Sequence, residues 1–187
     1  MDVPDKATLR AQVRKTLAAL SNEIRSAASA EISRRIVATP EWTSARTVGL
    51  YAAQSTEPDL SRLLNTAGKT FCFPRVSGEA LAFHQCHSLD LLQPGPWHLL
   101  EPNPAQCPVI PAPEIDLLLI PGMAFTRTGG RLGRGGGFYD RFLIGVHPRA
   151  VKVGVCFAVQ MMVELPQEAH DHEVDWVVTE TDLVRAS

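Results

Sequence analysis

Apolar residues Leu9, Val13, Leu17 and Leu20 recur at spacings of four, four and three, which is the stripe of an amphipathic helix. Ser21 stands where an N-cap is needed for a second helix carrying Ile24, Ala28, Ile32 and Ile36, and Pro40 ends that helix. The pattern then changes. "TVGLYAA" (47–53), "KTFCFP" (69–74), "AVKVGVCFA" (150–158) and "DWVVTE" (175–180) are short apolar runs that read as strands. "IDLLLIPG" (115–122) has no polar alternation at all, as expected of a strand buried on both faces. "PDLSRLLNTAG" (58–68) predicts a short helix that starts near Asp59 or Ser61 and ends at Gly68. "EALAFHQ" (79–85) reads as a strand, whereas eight prolines between Pro94 and Pro121 predict extended loop. "FYDRFLIG" (138–145) reads as a helix, and "MMVELP" (161–166) fits either type. Alternation of strands and helices predicts one α/β domain, residues 1–187, with a largely parallel sheet and helices on both faces.

Composition narrows the function classes. The chain has 187 residues, 45% hydrophobic and 20% charged, with a net charge of −2. No global basic field draws nucleic acid or an anionic membrane, and neither is expected as a partner. The N-terminal stretch has no apolar h-region, and "DLLLIPGMAF" is too short for a bilayer and broken by Pro121 and Gly122. A cytoplasmic protein, by default a monomer, is the expectation. Cys72, Cys86, Cys107 and Cys156 form no C-x-x-C pair and read as reduced, partly buried thiols. "HQCH" (84–87) lacks the second cluster that zinc requires.

The chemistry concentrates in "GGRLGRGGGFYDRF" (129–142), where six of fourteen residues are glycine and three are arginine. It follows a buried strand and precedes a helix, a place where backbone N–H groups converge on an anion. Arg131 and Arg134 add forked donors suited to phosphate oxygens. Asp140 repels phosphate unless a divalent cation such as Mg²⁺ lies between them. No G-x-x-x-x-G-K-[ST] is present, and "GRGGGF" meets G-x-G-x-x-G only in part. The alternative is a glycine turn with its arginines in solvent. Lys6 and Arg10, four apart on the first helix, form either a cationic face of a site or a solvated face. Asp171, between His170 and His172, is either a metal ligand or a turn carboxylate.

"LIPGMAFTRTGGRLGRGGGFYDRF" resembles the signature of the 5-formyltetrahydrofolate cyclo-ligase family, whose pattern ends in R-L-G-[RK]-G-x-G-[YF]-Y-D. The likeness runs along nearly the whole chain. It includes Lys6-x-x-x-Arg10, "YAAQSTEPDL", "CFPRV" and the tail "FAVQMMVELPQEAHDHEVDWVVTE". The resemblance implies a Rossmann-like α/β fold. It also implies the ATP- and Mg²⁺-dependent conversion of 5-formyltetrahydrofolate to 5,10-methenyltetrahydrofolate, with ADP and phosphate released. ATP would be bound by Lys6, Ala7, Thr8, Leu9 and Arg10 and by Arg131, Leu132, Gly133, Arg134, Gly135, Gly136, Gly137, Phe138 and Tyr139. The reduced folate would be bordered by Tyr51, Glu57, Arg134, Gly135, Gly136, Gly137 and Phe138, with Arg134 catalytic. Asp140 and Asp171 match the Mg²⁺ positions.

In that reaction the formamide oxygen attacks the γ-phosphate and the ring then closes on nitrogen 10. The nucleophile is the substrate's own, so the protein supplies positioning and charge stabilisation. Phe138 stands where the family often has tyrosine, and Pro58 follows Glu57 where a β-branched residue is usual. Trp97 resembles a tryptophan position of some members and is either a stacking partner for the pterin or a packed core residue. Two other readings are a catalytically weak relative that binds folate or nucleotide, and a ligase acting on another formamide.

Overall fold

The computed structural model describes residues 4–186. Helix α1 (Lys6–Ala18) begins at Asp5, whose carboxylate accepts from the Thr8 N–H at 2.8 Å, and it buries Leu9, Val13 and Leu17. Helix α2 (Asn22–Val37) is capped by Ser21, as its sequence predicts, and buries Ala28, Ile32 and Ile36. Ile24 departs from the expected stripe. It lies one turn too early, before α2 meets the core, and is exposed. Pro40 does more than end a helix. It opens a third, α3 (Pro40–Ser44), capped by Thr39.

The strands are β1 (Thr47–Gly49), β2 (Thr70–Ser77), β3 (Ala80–Gln85), β4 (Leu92–Pro94), β5 (Leu100–Pro102), β6 (Val109–Ile110) and β7 (Leu117–Pro121). They continue as β8 (Ala124–Thr126), β9 (Arg131–Leu132), β10 (Val151–Val155), β11 (Met161–Met162), β12 (Trp176–Val178) and β13 (Leu183–Arg185). Helix α4 (Phe138–Leu143) lies between β9 and β10. The main sheet runs β13-β12-β10-β7-β1-β2-β3-β6. Strands β2, β1, β7, β10 and β12 are mutually parallel, while β3, β6 and β13 add antiparallel edges.

Strand β7 lies in the middle, and its alternation divides the core. Leu117 and Leu119 pack with Leu9, Val13, Ile32, Ile36 and Trp42 of α1, α2 and α3 on one face. Leu118 and Ile120 pack with Phe83, Phe125 and Leu143 on the other, where α4 lies. Helices on both faces of a largely parallel sheet are therefore what the alternation of elements predicts. Three details differ. Residues 58–68 form only a 3₁₀ turn, Ser61–Asn65, because the buried pair Leu60 and Leu63 is spaced at three, the 3₁₀ period. The proline-rich segment holds the short strands β4, β5 and β6, with Pro94 and Pro102 at strand ends, where a missing N–H is tolerated. Between β7 and the glycines, β8 and β9 form a hairpin that β11 joins in parallel, so "MMVELP" supplies a strand.

All four cysteines are free and buried. Burial pushes the Cys72 thiol up to about 12, which leaves it a packing residue at neutral pH. His84, also buried, has its Nδ1 2.7 Å from the Cys107 carbonyl.

Candidate active site

The glycine-rich loop proper is residues 133–137, between β9 and α4. Gly135 and Gly137 have φ of +109° and +64°, a region that side chains rarely enter. Among the described residues, no protein acceptor takes the N–H groups of 134–137. Helix α4 has only six residues, too few for an appreciable macrodipole. The helix-end charge expected from the sequence is thus minor, and open N–H groups and arginines carry the site's positive character.

Helix α1 delivers the two cations at its start. Arg10 Nε donates to the Gly133 carbonyl at 2.8 Å, and its guanidinium lies beside Gly135. Lys6 Nζ donates to Asp171 Oδ2 at 2.6 Å and lies 3.1 Å from Glu168 Oε1. Neither side chain belongs to a solvated face. Burial lowers the Lys6 pKa, but the bonds to Asp171 and Glu168 outweigh it and the net shift is upward. Asp171 is the converse: burial raises its pKa, and the Lys6 ammonium and the Glu168 N–H bring it below the ordinary value. Asp171 also closes a turn by accepting from Glu168 N–H at 2.8 Å, so the turn-carboxylate role is real as well.

A second ion pair lies alongside. Arg131 Nη2 donates to Asp140 Oδ1 at 2.6 Å, and the Arg131 side chain is only 3% exposed. The same Asp140 oxygen is 3.3 Å from the His172 N–H, which ties α4 to the residue after Asp171. Asp140 is therefore not a bare carboxylate. Arg131 already neutralises it, so the repulsion that called for a cation in the sequence argument is largely met by the protein. Arg131 Nε and the Tyr139 hydroxyl are both buried without a hydrogen-bond partner among the described residues. Burial pushes the Tyr139 phenol well up, keeping it a neutral donor. Both atoms are enclosed by the protein, so they lie behind the open loop rather than on it.

The third pair closes the front. Arg134 places Nε and Nη2 3.1 and 2.7 Å from Glu57 Oε1. Glu57 Oε2 accepts from the Gln54 N–H at 2.9 Å. Glu57 lies beyond the carboxyl end of β1, where open α/β sheets bind ligands. Tyr51, on the same crossover, is buried with its hydroxyl donated to the Pro58 carbonyl at 2.8 Å. Its hydroxyl is thus already used within the protein. Leu9 and Leu132 belong to the core, so their side chains face away from the loop's open N–H groups. Ala7 and Thr8 lie on the first turn of α1, and the Thr8 N–H is spent on Asp5. Phe138 opens α4 and meets the Trp97 ring at 5.5 Å between centroids. Trp97 is 63% exposed, which removes the core-tryptophan alternative.

Carboxylate oxygens suit Mg²⁺, which commonly takes one or two of them with phosphate oxygens and waters. Asp140 Oδ2 and Asp171 Oδ1 accept no hydrogen bond among the described residues. No group of three or more His, Cys, Asp or Glu that could hold a metal ion converges among those residues. The sequence reasoning missed Glu168 and the His172 N–H. The only signal for Glu168 was its place one turn before Asp171.

The sequence profile of the 5-formyltetrahydrofolate cyclo-ligase family matches residues 2–180. The chain belongs to the 5-formyltetrahydrofolate cyclo-ligase family. Membership makes it an enzyme by class, a ligase of folate metabolism. The chain is 28% identical to the 5-formyltetrahydrofolate cyclo-ligase of Saccharomyces cerevisiae, over 92% of this chain and 94% of the yeast protein. It is 30% identical to that of Escherichia coli K12, over 89% and 96%. In structure it is similar to 5,10-methenyltetrahydrofolate synthetase from Aquifex aeolicus. There the TM-score is 0.85 and the identity 32%, covering 97% of this chain and 92% of that one. Among the described residues, no helix is long and apolar enough to cross a membrane.

Proposed function

We propose that this cyclo-ligase family member converts 5-formyltetrahydrofolate to 5,10-methenyltetrahydrofolate at the expense of ATP, with Mg²⁺, through a phosphorylated formyl group. One observation carries the reading. The loop whose N–H groups at 134–137 are open is bordered by Arg10 and the pair Arg134–Glu57, and behind it stand the pairs Arg131–Asp140 and, through the His172 N–H on Asp140, Lys6–Asp171.

Phosphoryl transfer asks a protein for positioning and for positive charge at the transferring group. The loop N–H groups and Arg10 would hold phosphate oxygens, and Lys6 would turn from Asp171 toward them. Arg134, half exposed and on the loop, would release Glu57 and stabilise charge as the formyl oxygen attacks the γ-phosphate. Glu57, freed of Arg134, would accept from the folate. Phe138 with Trp97 would wall the pterin. Asp140 and Asp171 would hold Mg²⁺, which supplies charge neutralisation on phosphate oxygens. No protein nucleophile is required.

The test is purified protein with ATP, Mg²⁺ and 5-formyltetrahydrofolate, followed by the near-ultraviolet absorbance of the methenyl product. ADP should form in step with product. Folate binding without turnover would favour the non-catalytic relative, and turnover of another formamide alone would favour the altered ligase.

A further inference from the structure

Outside the phosphate loop, one buried charge is left unexplained by the reaction. Glu101, on β5, is 2% exposed. Its Oε1 accepts from the Val76 N–H of β2 at 3.0 Å. Its Oε2 has no hydrogen-bond partner among the described residues, and Arg75 Nη1 is 3.7 Å away. Such an atom is costly to bury and calls for a reason. A ligand cannot reach it, because the atom is enclosed. A Cβ built on Gly95 would lie 2.5 Å from Glu101 Cδ and 2.6 Å from Oε2, so the carboxylate fills the place a side chain at position 95 would occupy.

Gly95 begins the tip of the β4–β5 hairpin. Its N–H donates to the Leu99 carbonyl at 2.7 Å, closing a turn around Trp97. Within that turn Trp97 has φ 55° and ψ 27°. It is the only non-glycine residue with positive φ among those described. A bulky residue holds such a conformation only where its surroundings impose it. Val76 of β2 meets Glu101, Glu101 packs on Gly95, Gly95 and Leu99 close the turn that contains Trp97, and the Trp97 ring meets Phe138 just after the glycine loop.

We propose that Glu101 is a positioning residue that braces the hairpin against β2 and so holds Trp97 in its left-handed conformation at the folate side of the site. The inference rests on the proposed function, in which Trp97 and Phe138 wall the pterin. Glu101 touches no substrate. It sets the fraction of molecules whose indole is in place, and apparent ligand affinity scales with that fraction.

The test is a steady-state series on Glu101→Gln, Gly95→Ala and Trp97→Ala, with the double variant Glu101→Gln/Trp97→Ala. Glutamine keeps the acceptor for the Val76 N–H, so the sheet is retained, but it puts an NH₂ group in place of the oxygen packed against Gly95 and removes the charge facing Arg75, which loosens the contact with the turn. Alanine at 95 attacks the same contact from the other side. Glu101→Gln and Gly95→Ala should each raise the KM for 5-formyltetrahydrofolate about tenfold, with the KM for ATP and kcat within about twofold. Glu101→Gln should add nothing once Trp97 is alanine. Trp97 emission, taken as the difference from Trp97→Phe, should shift in both Glu101→Gln and Gly95→Ala without substrate. A raised folate KM in Trp97→Ala but not in Glu101→Gln overturns the bracing role and leaves the site reading standing. An equal Glu101→Gln effect with and without Trp97 also overturns it. An unchanged folate KM in Trp97→Ala sinks the placing of the folate against Trp97, and this inference with it.

Discussion

Replacement of Arg134 by alanine separates catalysis from folding. In the structure its guanidinium makes two contacts with one oxygen of Glu57, at 3.1 and 2.7 Å, and the side chains are 44% and 9% exposed. Because Arg134 faces solvent on one side, the pair is screened and its loss should cost about 1 kcal/mol of stability. For a domain of this size that lowers Tm by roughly 2–4 °C. Catalysis should suffer much more. An arginine that stabilises charge in phosphoryl transfer is worth about 10³-fold in turnover, which corresponds to about 4 kcal/mol. The two figures differ enough to be told apart. A melting curve reads the first, and methenyl absorbance under saturating ATP and folate reads the second. Arg134→Lys should recover little, since an ammonium does not reproduce the fork. Turnover within about threefold of wild type in Arg134→Ala would remove Arg134 from the mechanism, and a loss of Tm far beyond the stated range would make it a structural residue.

The remaining expectations concern α1 and the two aspartates. Lys6→Ala should raise the KM for ATP more than that for folate, and an unchanged ATP KM and rate would end the nucleotide role of α1. Asp140→Asn and Asp171→Asn should each raise the Mg²⁺ concentration for half-maximal activity, and the double variant should lose far less than the summed free energies. A single variant with wild-type Mg²⁺ dependence is not a ligand. Asp140→Asn should also destabilise the fold, by about 3 kcal/mol, because it strips the buried Arg131 of its counter-charge. The Lys6–Asp171 pair has a pH signature. The raised Lys6 pKa means its contribution is complete below the unfolded value of 10.5 and lost as pH rises through the higher folded value. The depressed Asp171 pKa means its contribution is complete above 3.8 and lost as pH falls through the lower folded value. The stability difference between wild type and Lys6→Met/Asp171→Asn should therefore be flat from about pH 5 to 9 and shrink only in acid or strong base. A change near pH 7 would point to a neighbouring histidine instead.

The sequence alone determined the elements whose signals are local. The stripes of α1 and α2, the Ser21 cap and the unbroken apolar run of β7 each depend on neighbours a few residues away, and each appears where the pattern predicts it, apart from Leu20, which lies past the end of α1, and Ile24, which is exposed. It also determined the family, because several motifs in one order leave little room for another. Short elements were less legible. Residues 58–68 became a 3₁₀ turn, and the β8–β9 hairpin was hidden, because a few residues of either state carry too little periodicity to outweigh tertiary contacts. Only the tertiary structure decided the partners of the charges. Lys6 meets Asp171 across 165 positions, Arg10 meets Gly133 across 123, and Arg134 meets Glu57 across 77. No spacing rule reaches so far, since such pairs exist only after the parallel sheet has set its strand order. The same holds for the two residues whose meaning changed most. Asp140, a bare carboxylate as read from the sequence, has Arg131 beside it. Trp97, open from the sequence between core and site, has its ring at the surface against Phe138.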